Sequence, residues 1–90
     1  MTTQRFETPR RRFEVEVTEG TRGVAVHIPG DPAGFELNAS AYAIWNLCDG
    51  LTTTREMAEA ISELTGSPVQ AELDEVESVI TELRHAGLVD

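Results

Sequence analysis

Phe35-Glu36-Leu37-Asn38-Ala39-Ser40-Ala41-Tyr42-Ala43-Ile44-Trp45-Asn46-Leu47-Cys48 is the stretch in which the hydrophobic period changes, and its reading decides the fold. Phe35 and Leu37 flank a charged Glu36, so the two apolar side chains share one face of an extended strand. Beyond Asn38 the apolar positions become Ala41, Ile44, Trp45 and Cys48, the spacing of a helix. Asn38 stands at the junction, where its side-chain oxygen can accept from an otherwise unsatisfied N–H of the first turn. A strand therefore runs straight into a helix.

Working outward toward the N-terminus, the period stays at two. Phe13-Glu14-Val15-Glu16-Val17 predicts a half-buried strand, and Val24-Ala25-Val26-His27-Ile28 a second one. Glu19-Gly20-Thr21-Arg22-Gly23 reads as a hairpin loop, and Pro29-Gly30-Asp31-Pro32 as a tight turn. With such short links the three strands form an antiparallel meander. Toward the C-terminus, Asp49-Gly50 ends the first helix. Thr53-Thr54-Arg55-Glu56 has capping-box spacing and opens a second, with Met57, Ala58, Ile61 and Leu64 as its buried stripe. Gly66-Ser67-Pro68 breaks that helix. A third runs from about Ala71 to His85, with Leu73, Val76, Val79, Ile80 and Leu83 inward. Gly87 stops it, and Leu88-Val89 returns to the core. The expected fold is α+β and winged-helix-like, a three-stranded antiparallel sheet followed by three α-helices. Its core is Phe13, Val15, Val26, Leu37, Ile44, Trp45, Ile61, Val76, Ile80 and Leu83. Residues 1–11, polar and holding Pro9, read as a flexible or loosely docked N-terminal arm, and residues 12–90 as one domain.

Ninety residues bury a thin core, with little room for an enclosed catalytic cavity beside it. The net charge is −9 and unevenly spread. Residues 1–22 carry five arginines against four glutamates, whereas residues 23–90 carry Arg55 and Arg84 against twelve carboxylates, and there is no lysine. Duplex nucleic acid is held mainly by Lys and Arg on its phosphates, so the body of this domain would repel it. An acidic surface prefers basic or neutral partners. A lone cysteine, Cys48, fits a reducing, cytoplasmic setting. No apolar run suits a signal peptide or a membrane span.

No catalytic constellation is visible, and no cofactor is expected. His27 lies on a strand and His85 at a helix end. With Cys48 they lack the close spacing of a metal site. Cys48, on an apolar helix face, reads as a small buried side chain, and Trp45 as core. Of the acidic run Glu72, Asp74, Glu75 and Glu77, the first three suit a helix's first turns, where the dipole favours carboxylates. Glu77 lies past that turn and is the better candidate for meeting a cationic ligand group. The third strand is an edge, whose outward N–H and C=O groups lack a partner, and Glu36 is not blocked. An edge beside an apolar helix face is what β-strand addition requires; a bare edge protected by its shortness is the plainer alternative. On the third helix the apolar side chains spread over roughly 140°, wider than one packed stripe needs. One edge of that arc, either Leu73 and Ile80 bordered by Glu77 and Arg84 or the opposite Val79 and Ala86, has something else to face.

Leu37-Asn38 followed by Ala43-Ile44-Trp45-Asn46-Leu47-Cys48-Asp49-Gly50 resembles the corresponding segment of the PqqD-like proteins. Thr53 with Glu56, then Ile61 and Leu64, is similar to that family's next helix. Val76, Val79, Ile80, Leu83, Gly87, Leu88 and Val89 resemble its last helix and tail. The resemblance covers about residues 13–90. It implies a non-catalytic recognition element for ribosomally made, post-translationally modified peptides, which binds a precursor's leader along its third strand and against its third helix. The implied partners are that leader and a leader peptidase, a cyclase or a radical SAM enzyme, with no nucleic acid and no membrane. Glu75 departs from the Asp that many members have. On this reading Phe35, Glu36 and Leu37 offer the pairing edge. Leu73, Asp74, Glu77, Ile80 and Arg84 offer the facing wall. The acidic third helix favours a lasso-peptide-type pathway and a leader with basic residues near its apolar anchors. The rival readings are a winged-helix DNA-binding regulator, which the charge opposes, and a scaffold joining biosynthetic enzymes.

Overall fold

The computed structural model describes residues 7–12, 14–20, 23–31 and 34–90. Strands β1 (Glu16–Glu19), β2 (Val24–His27) and β3 (Gly34–Leu37) form one antiparallel sheet in the order β1-β2-β3. Helices α1 (Ala39–Leu47), α2 (Thr54–Thr65) and α3 (Val69–His85) follow. The architecture is the expected α+β arrangement. The Gly20 amide donates to the Gly23 carbonyl at 2.7 Å and closes the first hairpin. Pro29-Gly30 makes the second turn, in which the Asp31 amide donates to Ile28 at 3.0 Å and Gly30 takes φ +88°, a left-handed conformation that favours glycine.

Local chemistry sets the helix ends. The Asn38 side chain accepts from the Ala41 amide at 2.8 Å. Thr53 and Glu56 form a reciprocal capping box, at 3.0 and 2.9 Å. At the end of α3, Gly87 turns left-handed at φ +77°. The Gly87 amide donates to Arg84 and the Leu88 amide to Leu83, the paired bonds of a Schellman ending. Leu88 and Val89 are thereby folded back into the core.

Val26, Leu37, Ile44, Trp45, Val76, Ile80 and Leu83 are buried as expected. Met57, Ala58, Cys48, Leu73, Val79, Leu88 and Val89 join them. Val15 and Ile61 are half-buried against this cluster, and Phe13 lies outside the described residues. Several boundaries differ from the sequence reading. β1 begins at Glu16, not at residue 13, and its four side chains are exposed. Leu64 continues the helical spacing of Met57 and Ile61, yet it is 87% exposed at the end of α2. α3 starts at Val69, where Pro68 occupies the N-cap position without a side-chain bond. α1 stops at Leu47, with Gly50 two residues past its Cys48 cap.

Residues 7–12 run along the ends of α1 and α3 and the start of α2. Arg10 bridges Asp49 and Arg11 bridges Val89. The Thr54 amide donates to Glu7 and the Gly50 amide to Pro9, both at 3.0 Å. Arg11 places its guanidinium 5.6 Å from the centre of the Trp45 ring. The Trp45 indole N–H donates to the buried Leu88 carbonyl at 3.0 Å, which also accepts from the Arg12 amide at 2.8 Å.

Replacing Trp45 with Phe removes one of those two donors and leaves the aromatic body. Urea titration is expected to show a loss of about 1–3 kcal/mol, the range for a buried hydrogen bond with its packing defect. A second expectation concerns acid. Asp49 accepts from the Leu51 amide at 2.8 Å and the Thr52 amide at 2.7 Å. These bonds, first that from Leu51, hold its carboxyl below the usual range. Its contribution is therefore present above about pH 4 and disappears as pH falls through the lowered folded value. The melting-temperature gap between the wild type and Asp49→Asn should be full at neutral pH and narrow in acid.

Candidate functional site

The site is built on the free edge of β3. The Gly20–Gly23 hydrogen bond fixes which amides face which neighbour. Glu19 pairs with Val24 and Thr18 with Ala25, so alternation directs Ala25 toward β1 and Val24 and Val26 toward β3. Val24 lies opposite Leu37 and Val26 opposite Phe35. Leu37 and Phe35 thus turn their backbone groups inward, and Gly34 and Glu36 turn theirs outward. The crowding of the Leu37 carbonyl against Gly23 agrees with this register. Among the described residues no strand pairs with that outer edge. The edge offers the N–H and C=O of Glu36, with those of Gly34 one step along.

Beside the edge runs a groove of about 330 Å³, floored by Phe35, Leu37 and Leu88 and walled by Val79, Glu82, Leu83 and Ala86 of α3. Asn38 and Ala41 of α1 close one end. Phe35, Glu36 and Leu37 are thus brought together as the strand side. The helix side is the Val79–Ala86 edge of the apolar arc, and Glu82 borders it. Leu73 and Ile80 are packed in the core, 6% and 1% exposed. Asp74 accepts from Gln70 at 3.2 Å, and the exposed Glu77 does not border the groove. Arg84 reaches Glu7 at 3.2 Å and the Asp90 carbonyl at 3.1 Å, against the docked N-terminal segment. Sequence reasoning missed Glu82 and Leu83 as wall residues. The available signal was the helical spacing Val79, Leu83, Ala86, which runs down one side of the arc.

The groove can hold an apolar chain and pair its backbone. The carboxylate of Glu82 stands on the α3 rim, so a basic side chain is favoured there, whereas that of Glu36 lies on the other face of the sheet, near Gly20. The groove carries no nucleophile or acid–base pair. Cys48 is fully buried beneath α1, and its thiol donates to the Ile44 carbonyl at 3.2 Å. Burial pushes this thiol up to about 11, against the opposing pull of Arg11. Among the described residues no group of three or more His, Cys, Asp or Glu side chains could hold a metal ion. No helix among them is long and apolar enough to cross a membrane.

A family model described as coenzyme PQQ synthesis protein D (PqqD) matches residues 23–89, and the chain belongs to that family. Members are non-catalytic accessory proteins in the biosynthesis of ribosomally made, post-translationally modified peptides. No curated protein and no solved structure matches the chain. The match begins at Gly23 and takes in β2, β3 and all three helices, and so the whole groove. For Cys48 the geometry sets a clear expectation: a disulfide reagent at pH 8 should modify the native thiol about a hundredfold or more slowly than the thiol of the urea-unfolded chain.

Proposed function

We propose that this PqqD-family chain is a leader-peptide recognition element, which binds the leader of a ribosomal precursor as a fourth strand on β3 and presents it to modifying enzymes. The observation that carries this reading is the Glu36 edge, unpaired among the described residues, lying directly beside the groove lined by Phe35, Val79, Leu83 and Ala86. Strand addition uses both parts. Main-chain hydrogen bonds to Glu36 and Gly34 give affinity with little sequence preference. Alternate ligand side chains dropping toward Phe35, Val79, Leu83 and Ala86 give specificity. A free leader loses conformational entropy on becoming a strand, so apolar anchors in the groove have to supply most of the affinity. Glu82 would meet a basic residue near those anchors and help to fix the register.

On this reading the chain turns over nothing itself. Its enzyme partner is a leader peptidase, a cyclase or a radical SAM enzyme. The acidic groove keeps the lasso-type pathway as the favoured proposal. The neighbouring reading frames test it: a short precursor beside a leader peptidase and a cyclase is expected, and a lone radical SAM partner would overturn it.

The binding test uses isothermal titration with the synthetic leader of the precursor encoded beside this chain. Glu36→Pro removes an outward amide without touching the inward ones, and a three- to tenfold loss of affinity is expected, about the worth of one hydrogen bond. Ala86→Trp fills the groove and should cost tenfold or more, on the scale of an overpacked site. Arg84→Ala, on the far edge of α3, should stay within about twofold, as surface changes usually do. Unchanged affinity in both of the first two variants, with native circular dichroism, would refute the site.

A further inference from the structure

A second cavity of about 490 Å³ opens between α1, α2 and the first turns of α3. Its walls include Ala43, Ile61, Leu64, Ala71, Glu72 and Glu75. Leu64 is the most exposed large apolar side chain among the described residues. Among the described residues the carboxylate of Glu75 has no hydrogen-bond or ion-pair partner, and that of Glu72 meets only the Thr65 hydroxyl, at 3.4 Å.

The two hollows lie along one face of α3. At 100° per residue, Glu72, Glu75, Val79, Glu82 and Ala86 fall within an arc of about 80°. The first two border the second cavity and the last three border the β3 groove. The first turn of α1 stands between them. Asn38 and Ala41 line one side, while Ala39 and Ser40 line the other. These side chains are small, so an extended chain can pass close over them. β3 runs directly into that turn, so a strand added antiparallel to β3 has its N-terminal end at the α1 side. Counted along α3, the midpoints of the two hollows are separated by about ten residues, or roughly 15 Å. An extended peptide covers that distance in about four or five residues.

We propose that the second cavity is an anchor subsite for the same peptide, occupied by the segment N-terminal to the strand that pairs with β3. This rests on the strand-addition reading given above. The occupant has a stated chemistry: an apolar side chain set against Ala43, Ile61 and Leu64, next to a Lys or Arg facing Glu72 and Glu75. It lies about four or five residues before the centre of the paired segment. Continuity with the groove and a rim of unneutralised carboxylates single out a basic–apolar peptide segment over other occupants. The leader would then be read at two points, and the spacing between them becomes part of the specificity.

The test compares two synthetic peptides, the full leader of the precursor encoded beside this chain and the same leader lacking the residues before the paired segment. Each is titrated into the 15N-labelled wild type and into Leu64→Ser, a change at an exposed position that leaves the core intact. The full leader should shift the amides of Glu36 and Ala86 and also those of Ala43 and Ala71. Leu64→Ser should weaken it about five- to tenfold, and Glu75→Lys similarly, with the Glu75 effect shrinking in high salt. The shortened leader should bind wild type and Leu64→Ser alike. If the full leader shifts the β3 and Ala86 amides but binds both chains equally, the second subsite is overturned and strand addition stands. If neither peptide shifts the Glu36 and Ala86 amides, strand addition itself fails, and the subsite with it.

Discussion

The carbonyl of Leu88 holds the molecule together. It accepts from the Trp45 indole and from the Arg12 amide, and so joins α1, the C-terminal tail and the N-terminal segment at one buried atom. A buried indole N–H without an acceptor is costly, and Leu88 reaches it only because Gly87 reverses the chain after α3. The Schellman ending is thus more than a helix stop. It delivers a main-chain oxygen to the one large aromatic residue of the core. The side chain of the same Leu88 lies under the β3 groove, so the groove's floor and the domain's main tie are one residue.

That tie also sets where the edge of β3 stands relative to α3. β3 continues into α1 through Asn38 alone, and α1 is fixed by Trp45 to the tail of α3. The strand edge and the helix wall are therefore held at a set distance without direct bonds between them. The hairpin of β1 and β2 hangs on the other side of β3 and leaves its outer edge untouched.

The fold was legible wherever the signal is local. Asn38, the Thr53–Glu56 box, Gly66 and Gly87 each act within a few residues, and each sits where its chemistry demands. Readings that depend on distant neighbours came out less well. The alternation of Phe13, Val15 and Val17 is unbroken across Glu16, so the sequence has no mark for where pairing with β2 begins. Leu64 has the right spacing for the α2 stripe, but the stripe runs off the end of the packed surface. On α3 the apolar arc has two edges of similar composition. Which of them meets β3 is set by the crossing of α3 with α1, which no residue of α3 encodes. Leu73 and Ile80 go inward, and the Val79–Ala86 side is left for the groove. The free edge of β3 was readable because a meander's last strand is an edge by topology alone. The helix half required the tertiary arrangement.

The carboxylates of the outer strands bear on a hazard that every open sheet edge carries. An unpaired strand can template another copy of itself, and crowded cellular conditions favour such pairing. A second copy approaching β3 would bring its own Glu36 toward this Glu36, and like charges in close register repel. A copy arriving through β1 would present Glu16 and Glu19. The negative charge along both outer strands thus discourages polymerisation of the domain, and an edge left open for a different chain is closed to its own kind.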